Sequence, residues 1–282
     1  MPSWRRDLSI AAHSMNAIIG GLAALLYLLA GAWLAVRLAN AGAAAASAGG
    51  PLALGWGAVL LHASILAQTV FEPAGLNLGF FNALSLTGWL IDLLLLAVAT
   101  VRPVENLGII ALPVGALTLV LGLWFPGQRI VADPGRWPLE LHIFIAILAY
   151  SLLSLAAVQS ILLAVQDHRL RHRQPGGFLR GIPPLTAMES LLFQLITAGF
   201  ILLSVTLVSG FFFLEDLFAQ HVAHKTLLSL IAWGVFGVLL WGRWRFGWRG
   251  QTAIRWTLSG FGFLVLAFFG SKLVLELILR RY

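Results

Sequence analysis

His142, in WPLELHIFIAILAY, and His224, in FAQHVAHKTLLSLIAW, each stand at the opening of a long apolar run. One further apolar run separates the two, so both are traversed in the same direction and both imidazoles fall at one face of a membrane. Neutral imidazoles presented from two helix ends can clamp a metal ion or a haem iron from opposite sides. The same placement also suits two unrelated interfacial histidines at helix starts, because a histidine pair alone is a weak signal. His221 shares a helical face with His224 if that stretch is helical, which makes it a candidate second ligand or hydrogen-bond donor.

His62 differs in lying near the middle of an apolar run, where an imidazole needs a partner or a cavity. Asp92 falls inside the neighbouring run and is expected to orient it by a hydrogen bond. The two read equally as a tie between helices and as part of a cofactor site. The other histidines carry less. His168 and His172 lie in the basic stretch DHRLRHR, and His13 precedes the first run. Lys272 and Glu276 are four apart and face each other on a helix, which predicts mutual neutralisation. Glu140 and Glu189 are interfacial by position. Trp241, Trp244, Trp248 and Trp256 alternate with Arg243, Arg245, Arg249 and Arg255. At a run boundary this is an aromatic belt with snorkelling arginines rather than a nucleic-acid surface. Trp124 and Trp137 are belt residues or the wall of a flat apolar site. No P-loop, GxGxxG, HExxH or GxSxG motif has the context its chemistry needs, and no catalysed reaction is indicated.

The elements that must position these residues are membrane spans. The 282 residues are 60% hydrophobic and 10% charged, with mean hydropathy +0.91. Soluble domains carry about 25% charged residues, so a water-soluble enzyme is excluded. With no cysteine, disulfides, iron–sulfur clusters and thiolate zinc sites are excluded as well. A helix crosses the bilayer core in about 20 apolar residues. Eight stretches qualify: 17–38, 52–71, 79–101, 106–125, 141–165, 189–213, 225–243 and 256–279. The expected fold is all-α, a polytopic transmembrane bundle of about eight spans forming one membrane-embedded domain over residues 1–282. Pro113 inside the fourth span is tolerable where neighbours satisfy the freed carbonyl. There is no internal repeat, and the Ala/Gly stretch 43–50 reads as a linker.

The net charge is +7, and the basic residues lie between the apolar runs. There they act as topology signals and contacts for anionic lipid. The basic loops 166–188 and 243–255 are assigned to the cytoplasm. Loops 126–140 and 214–224 then lie outside, as do both termini. Arg5 and Arg6 oppose this assignment but are outvoted by the two longer clusters; a start at Met15 would remove the conflict.

From His142 onward, four runs carry a resemblance. They are LHIFIAILAYSLLSLAAVQSILLAVQDHRL, GIPPLTAMESLLFQLITAGFILL, HKTLLSLIAWGVFGVLLWGRWRFGWRGQTAIRW and FFGSKLVLEL. Over about 137–279 the chain resembles the cytochrome c assembly family of CcmC/CcsA-type haem-handling membrane proteins. GWRG at 247–250 and HKT at 224–226 point to its bacterial YpjD-like inner-membrane branch. The resemblance implies a multi-pass protein of the bacterial inner membrane that handles haem for cytochrome c maturation, with other maturation proteins as partners. It implies His142 and His224 as axial ligands to the haem iron near the outer face, and His62 as an inner cofactor-binding site. The family is named for a tryptophan-rich outer loop, whereas residues 211–223 here read FFFLEDLFAQHVA, with no tryptophan. A haem-binding protein without bond-making chemistry of its own is therefore the first reading. The alternative is a non-haem accessory or scaffold that has lost that loop. A transporter ranks last: Asp92 and the Lys272–Glu276 pair are present, but not the symmetric halves it needs.

Overall fold

The structure is a computed structural model. It describes residues 3–40, 49–72, 75–125, 127, 130–131, 137–172, 183–213 and 223–270, with side chains from Ser14 onward except at 131, 213, 223 and 224. Among the described residues, eight helices are long and apolar enough to cross a membrane. They are α1 (Ser3–Ala39), α2 (Gly49–Thr69), α3 (Phe80–Ala99), α4 (Gly108–Trp124), α5 (Trp137–Arg171), α6 (Leu185–Phe213), α7 (Ala223–Phe246) and α8 (Gln251–Val265). A 3₁₀ turn, Glu105–Leu107, leads into α4, and a π-helical turn, Leu266–Gly270, extends α8. Helix is the form expected of apolar runs in lipid, since it satisfies each backbone group within the segment. The chain is thus a polytopic helical bundle. It divides into two compact units, with α1 to α4 in the first and α5 to α8 in the second.

The first unit also holds a feature outside the all-α expectation. Strands β1 (Phe71–Glu72), β2 (Gly75–Asn77) and β3 (Ile130–Val131) form a small antiparallel sheet. All three strands lie beyond the helix ends, where strand pairing satisfies backbone groups that no helix does. Gly75 has φ 132, a backbone conformation that favours glycine at this turn.

The core of this unit is built from small residues on α1, α2 and α4 (Ala23, Ala30, Ala58, Ala116) with Tyr27, Leu112 and Leu119 between them. Small residues let helix backbones approach closely, which is how helices associate when lipid is as apolar as they are. The α3–α4 seam meshes as a ladder: Ser85 packs on Gly122, Gly88 on Thr118 and Asp92 on Gly115. Positions 85, 88 and 92 share one face of α3 by helical periodicity. Pro113 is accommodated at Gly31, where a Cβ would stand 3.1 Å from the proline ring.

The second unit is a closed ring of four helices. Helix α5 packs along α6, with Leu153 over Gly199. Helix α6 packs on α7, where Trp233 Nε1 donates to Ser204 Oγ at 2.8 Å and Phe200 stacks on the Trp233 ring. Helix α7 packs on α8 with Phe236 over Gly260. Helix α8 closes on α5 through Tyr150 against Phe261 and through Gln251 Nε2, which donates to Asp167 Oδ2 at 2.6 Å. Helices α5 and α7 therefore stand diagonally across the ring.

GWRG forms the turn between α7 and α8. Gly247 and Gly250 take φ 67 and 59, the left-handed region that a side chain disfavours. Trp248 folds back over Gly242 and packs against Trp256. Glu189, expected to be a bare interfacial carboxylate, instead accepts the Gly250 N–H at 2.8 Å and ties the start of α6 to this turn.

Candidate functional site

At the opposite end of the second unit, antiparallel packing brings the second turn of α5 against the last turn of α6. His142 Nδ1 lies 2.8 Å from Ser209 Oγ. Ser209 Oγ also donates to the Thr206 carbonyl at 3.0 Å. A serine hydroxyl has one proton and two lone pairs. In the arrangement where that proton goes to Thr206, Ser209 accepts and His142 donates from Nδ1. Nε2 then bears the lone pair, and it has no hydrogen-bond partner among the described residues. A half-buried neutral imidazole in this tautomer is chemically suited to ligate a haem iron.

The backbone of His224 belongs to the first turn of α7, while its side chain lies outside the described residues, as does the whole of His221. The α6–α7 register pairs Ser204 with Trp233 and Phe200 with Gly237. Carried along both helices, it sets Ser209 level with Leu228 and His224 about one turn beyond. The two histidines thus start diagonally opposed helices at the same end of the ring. Ligand sites in helical bundles are built between facing helices in this manner.

An aromatic cluster flanks this end. Tyr150, about two turns along α5 from His142, meets Phe261, Phe268 and Phe269 with ring centroids 5.6, 5.9 and 5.4 Å away. Phe268 and Phe269 sit on the π-helical turn, a distortion frequent at functional sites. Sequence reading found neither this cluster nor Ser209. Their residues lie in three separate runs, and only helix pairing joins them.

His62 has a different setting. It is fully buried in the first unit, with Nε2 2.9 Å from Ser85 Oγ and Nδ1 3.3 Å from the Tyr27 hydroxyl. It links α1, α2 and α3. Asp92, expected as its partner, is not: both carboxylate oxygens are buried without a hydrogen bond. Asp92 lies two turns beyond Ser85 on α3, and its side chain turns to Gly115. His168 and His172 are exposed at the end of α5, their ring centroids 4.3 Å apart. Trp124 and Trp137 are exposed, as belt residues would be. Lys272, Glu276 and the side chain of His13 lie outside the described residues.

Fold and site together define a polytopic helical membrane protein with His142 hydrogen-bonded to Ser209 at one end of a four-helix ring. The profile of the family described as "Cytochrome C assembly protein" matches residues 53–279. The match begins in α2, well upstream of residues 137–279. The chain is 33% identical over 230 residues to inner membrane protein YpjD of Escherichia coli K12, covering 78% of this chain and 84% of that one. It is 34% identical over 234 residues to a 28.8 kDa protein from the nifR3-like 5' region of Azospirillum brasilense, covering 79% and 86%. Protein HemX of Brevibacillus brevis is 24% identical over 216 residues, covering 75% and 79%. No solved structure matches. The chain belongs to the cytochrome c assembly protein family, in its YpjD-like branch.

Proposed function

We propose that this protein binds haem in the inner membrane and presents it for cytochrome c maturation, with His142 and His224 as axial ligands near the outer face. The observation that carries the reading is His142, tied to Ser209 through Nδ1 and with no partner for Nε2 among the described residues, at the ring end where α7 also begins. Haem supplies an iron that already has four porphyrin nitrogens, so one or two imidazoles complete its coordination. The protein's part is to bind, orient and surround it. His142 offers a lone pair, and the edge-on aromatic cluster of Tyr150, Phe268 and Phe269 adds apolar surface about two turns along α5. His62 joins as an inner ligand only if Nε2 leaves Ser85.

Protein purified in detergent from haem-replete cells is expected to show a Soret band that His142→Ala weakens. Wild-type protein that carries no haem after such growth, and takes up none on titration with haemin, defeats the reading. The absence of tryptophan from 211–223 favours a second one, an accessory scaffold without haem. It predicts a reproducible co-purifying membrane protein and no Soret band.

A further inference from the structure

The tautomer of His142 depends on a side chain from another helix, and the identity of that side chain has a chemical consequence. A ligating histidine usually donates its second ring N–H to a carboxylate, a backbone carbonyl or water, and the acceptor sets how basic the ligand is. Here the acceptor is a neutral hydroxyl whose own proton goes to the Thr206 carbonyl. Such a hydroxyl orients the ring but draws less on the Nδ1 proton than a carboxylate would. Nε2 is then a fixed but modest donor. Thr206 and Ser209 are three apart, so both lie on one face in the last turns of α6, and the chain His142–Ser209–Thr206 runs down that helix in a single direction. Among the described residues, no Asp or Glu side chain enters it.

We propose that Ser209 is a positioning residue that makes His142 a haem ligand built for release: it holds the imidazole in the Nδ1–H tautomer while keeping the iron–nitrogen bond weaker than a carboxylate partner would. The inference rests on the haem reading of His142 and says what that site is tuned for. A protein that hands its cofactor on gains from a ligand that is well oriented and easily exchanged.

The test uses full-length protein in detergent, titrated with haemin and followed by the Soret band, by the midpoint potential of the bound haem, and by the rate of haem transfer to apomyoglobin. Ser209→Ala removes the acceptor and is expected to weaken haemin affinity by about 10- to 100-fold, the usual effect of losing such a partner. Ser209→Thr keeps the hydroxyl and restores wild-type affinity. Ser209→Asp supplies a carboxylate, lowers the midpoint potential and slows transfer. If Ser209→Ala does not fold, Ser209→Cys keeps the shape with a weak acceptor and is expected to show the same loss. Affinity, potential and transfer rate equal to wild type in the Ala or Cys variant and in the Asp variant overturn the inference while leaving His142 as a ligand. Wild-type haemin affinity in His142→Ala overturns the ligand assignment itself, and this inference with it.

Discussion

His62 is hydrogen-bonded to Ser85, with 2.9 Å between Nε2 and Oγ, although the carboxylate of Asp92 lies on the same helix two turns away. The serine and the Tyr27 hydroxyl together occupy both ring nitrogens inside a fully buried site. Replacing His62 with alanine leaves two hydroxyls without a buried partner and opens a cavity. The expected cost is about 2–4 kcal/mol, read as a lower unfolding temperature in detergent. The Soret band attributed to His142 should be unchanged. Loss of a second haem equivalent in this variant would instead make His62 an inner ligand.

The Asp92 carboxylate fills the space that a side chain on Gly115 would take. Gly115→Ala alone should therefore destabilise the α3–α4 seam by about 1–3 kcal/mol, the usual range for overpacking. Adding Asp92→Ala clears the collision. The double variant should be more stable than the sum of the single effects predicts, with a coupling of about 1 kcal/mol or more. A double-mutant cycle of thermal unfolding measures this; strict additivity would show that the two residues do not meet.

Gly250 holds φ 59 and donates its N–H to Glu189. Gly250→Ala forces a Cβ into the left-handed region at a cost of about 1–2 kcal/mol. Glu189→Ala removes a charge-assisted hydrogen bond worth about 1.5–3 kcal/mol. Both should loosen the α7–α8 turn, seen as faster hydrogen exchange over 244–252. Substitution at exposed Trp244, which shows 82% of its surface, should leave that exchange at its wild-type rate.

The proposed orientation has its own test. Fluorescent-protein fusions ending near residue 175 should glow, since that basic loop is assigned to the cytoplasm. Alkaline phosphatase fusions near residue 130 and at the C-terminus should be active. The reverse pattern inverts the topology and moves the His142 end of the second unit to the cytoplasmic side.

The spans were legible because the cost of placing a polar backbone or charged side chain in hydrocarbon is counted residue by residue. All eight expected spans overlap a helix of the structure. GWRG stood out in the sequence, and in the structure it has a conformational role: two glycines with positive φ and a tryptophan folded over Gly242. The partner of His62 was not legible. Ser85 and Asp92 lie on one face of α3, and periodicity names the face without saying which turn meets the imidazole.

What the sequence by itself determined is which segments leave water and which residue types they carry, because transfer into lipid acts on each segment alone. Which side chains meet was decided by the tertiary structure. His142 finds Ser209, 67 residues away, because α5 and α6 lie antiparallel with Leu153 seated on Gly199. Close packing of side chains of given shape selects that register, and the register supplies His142 with its hydroxyl.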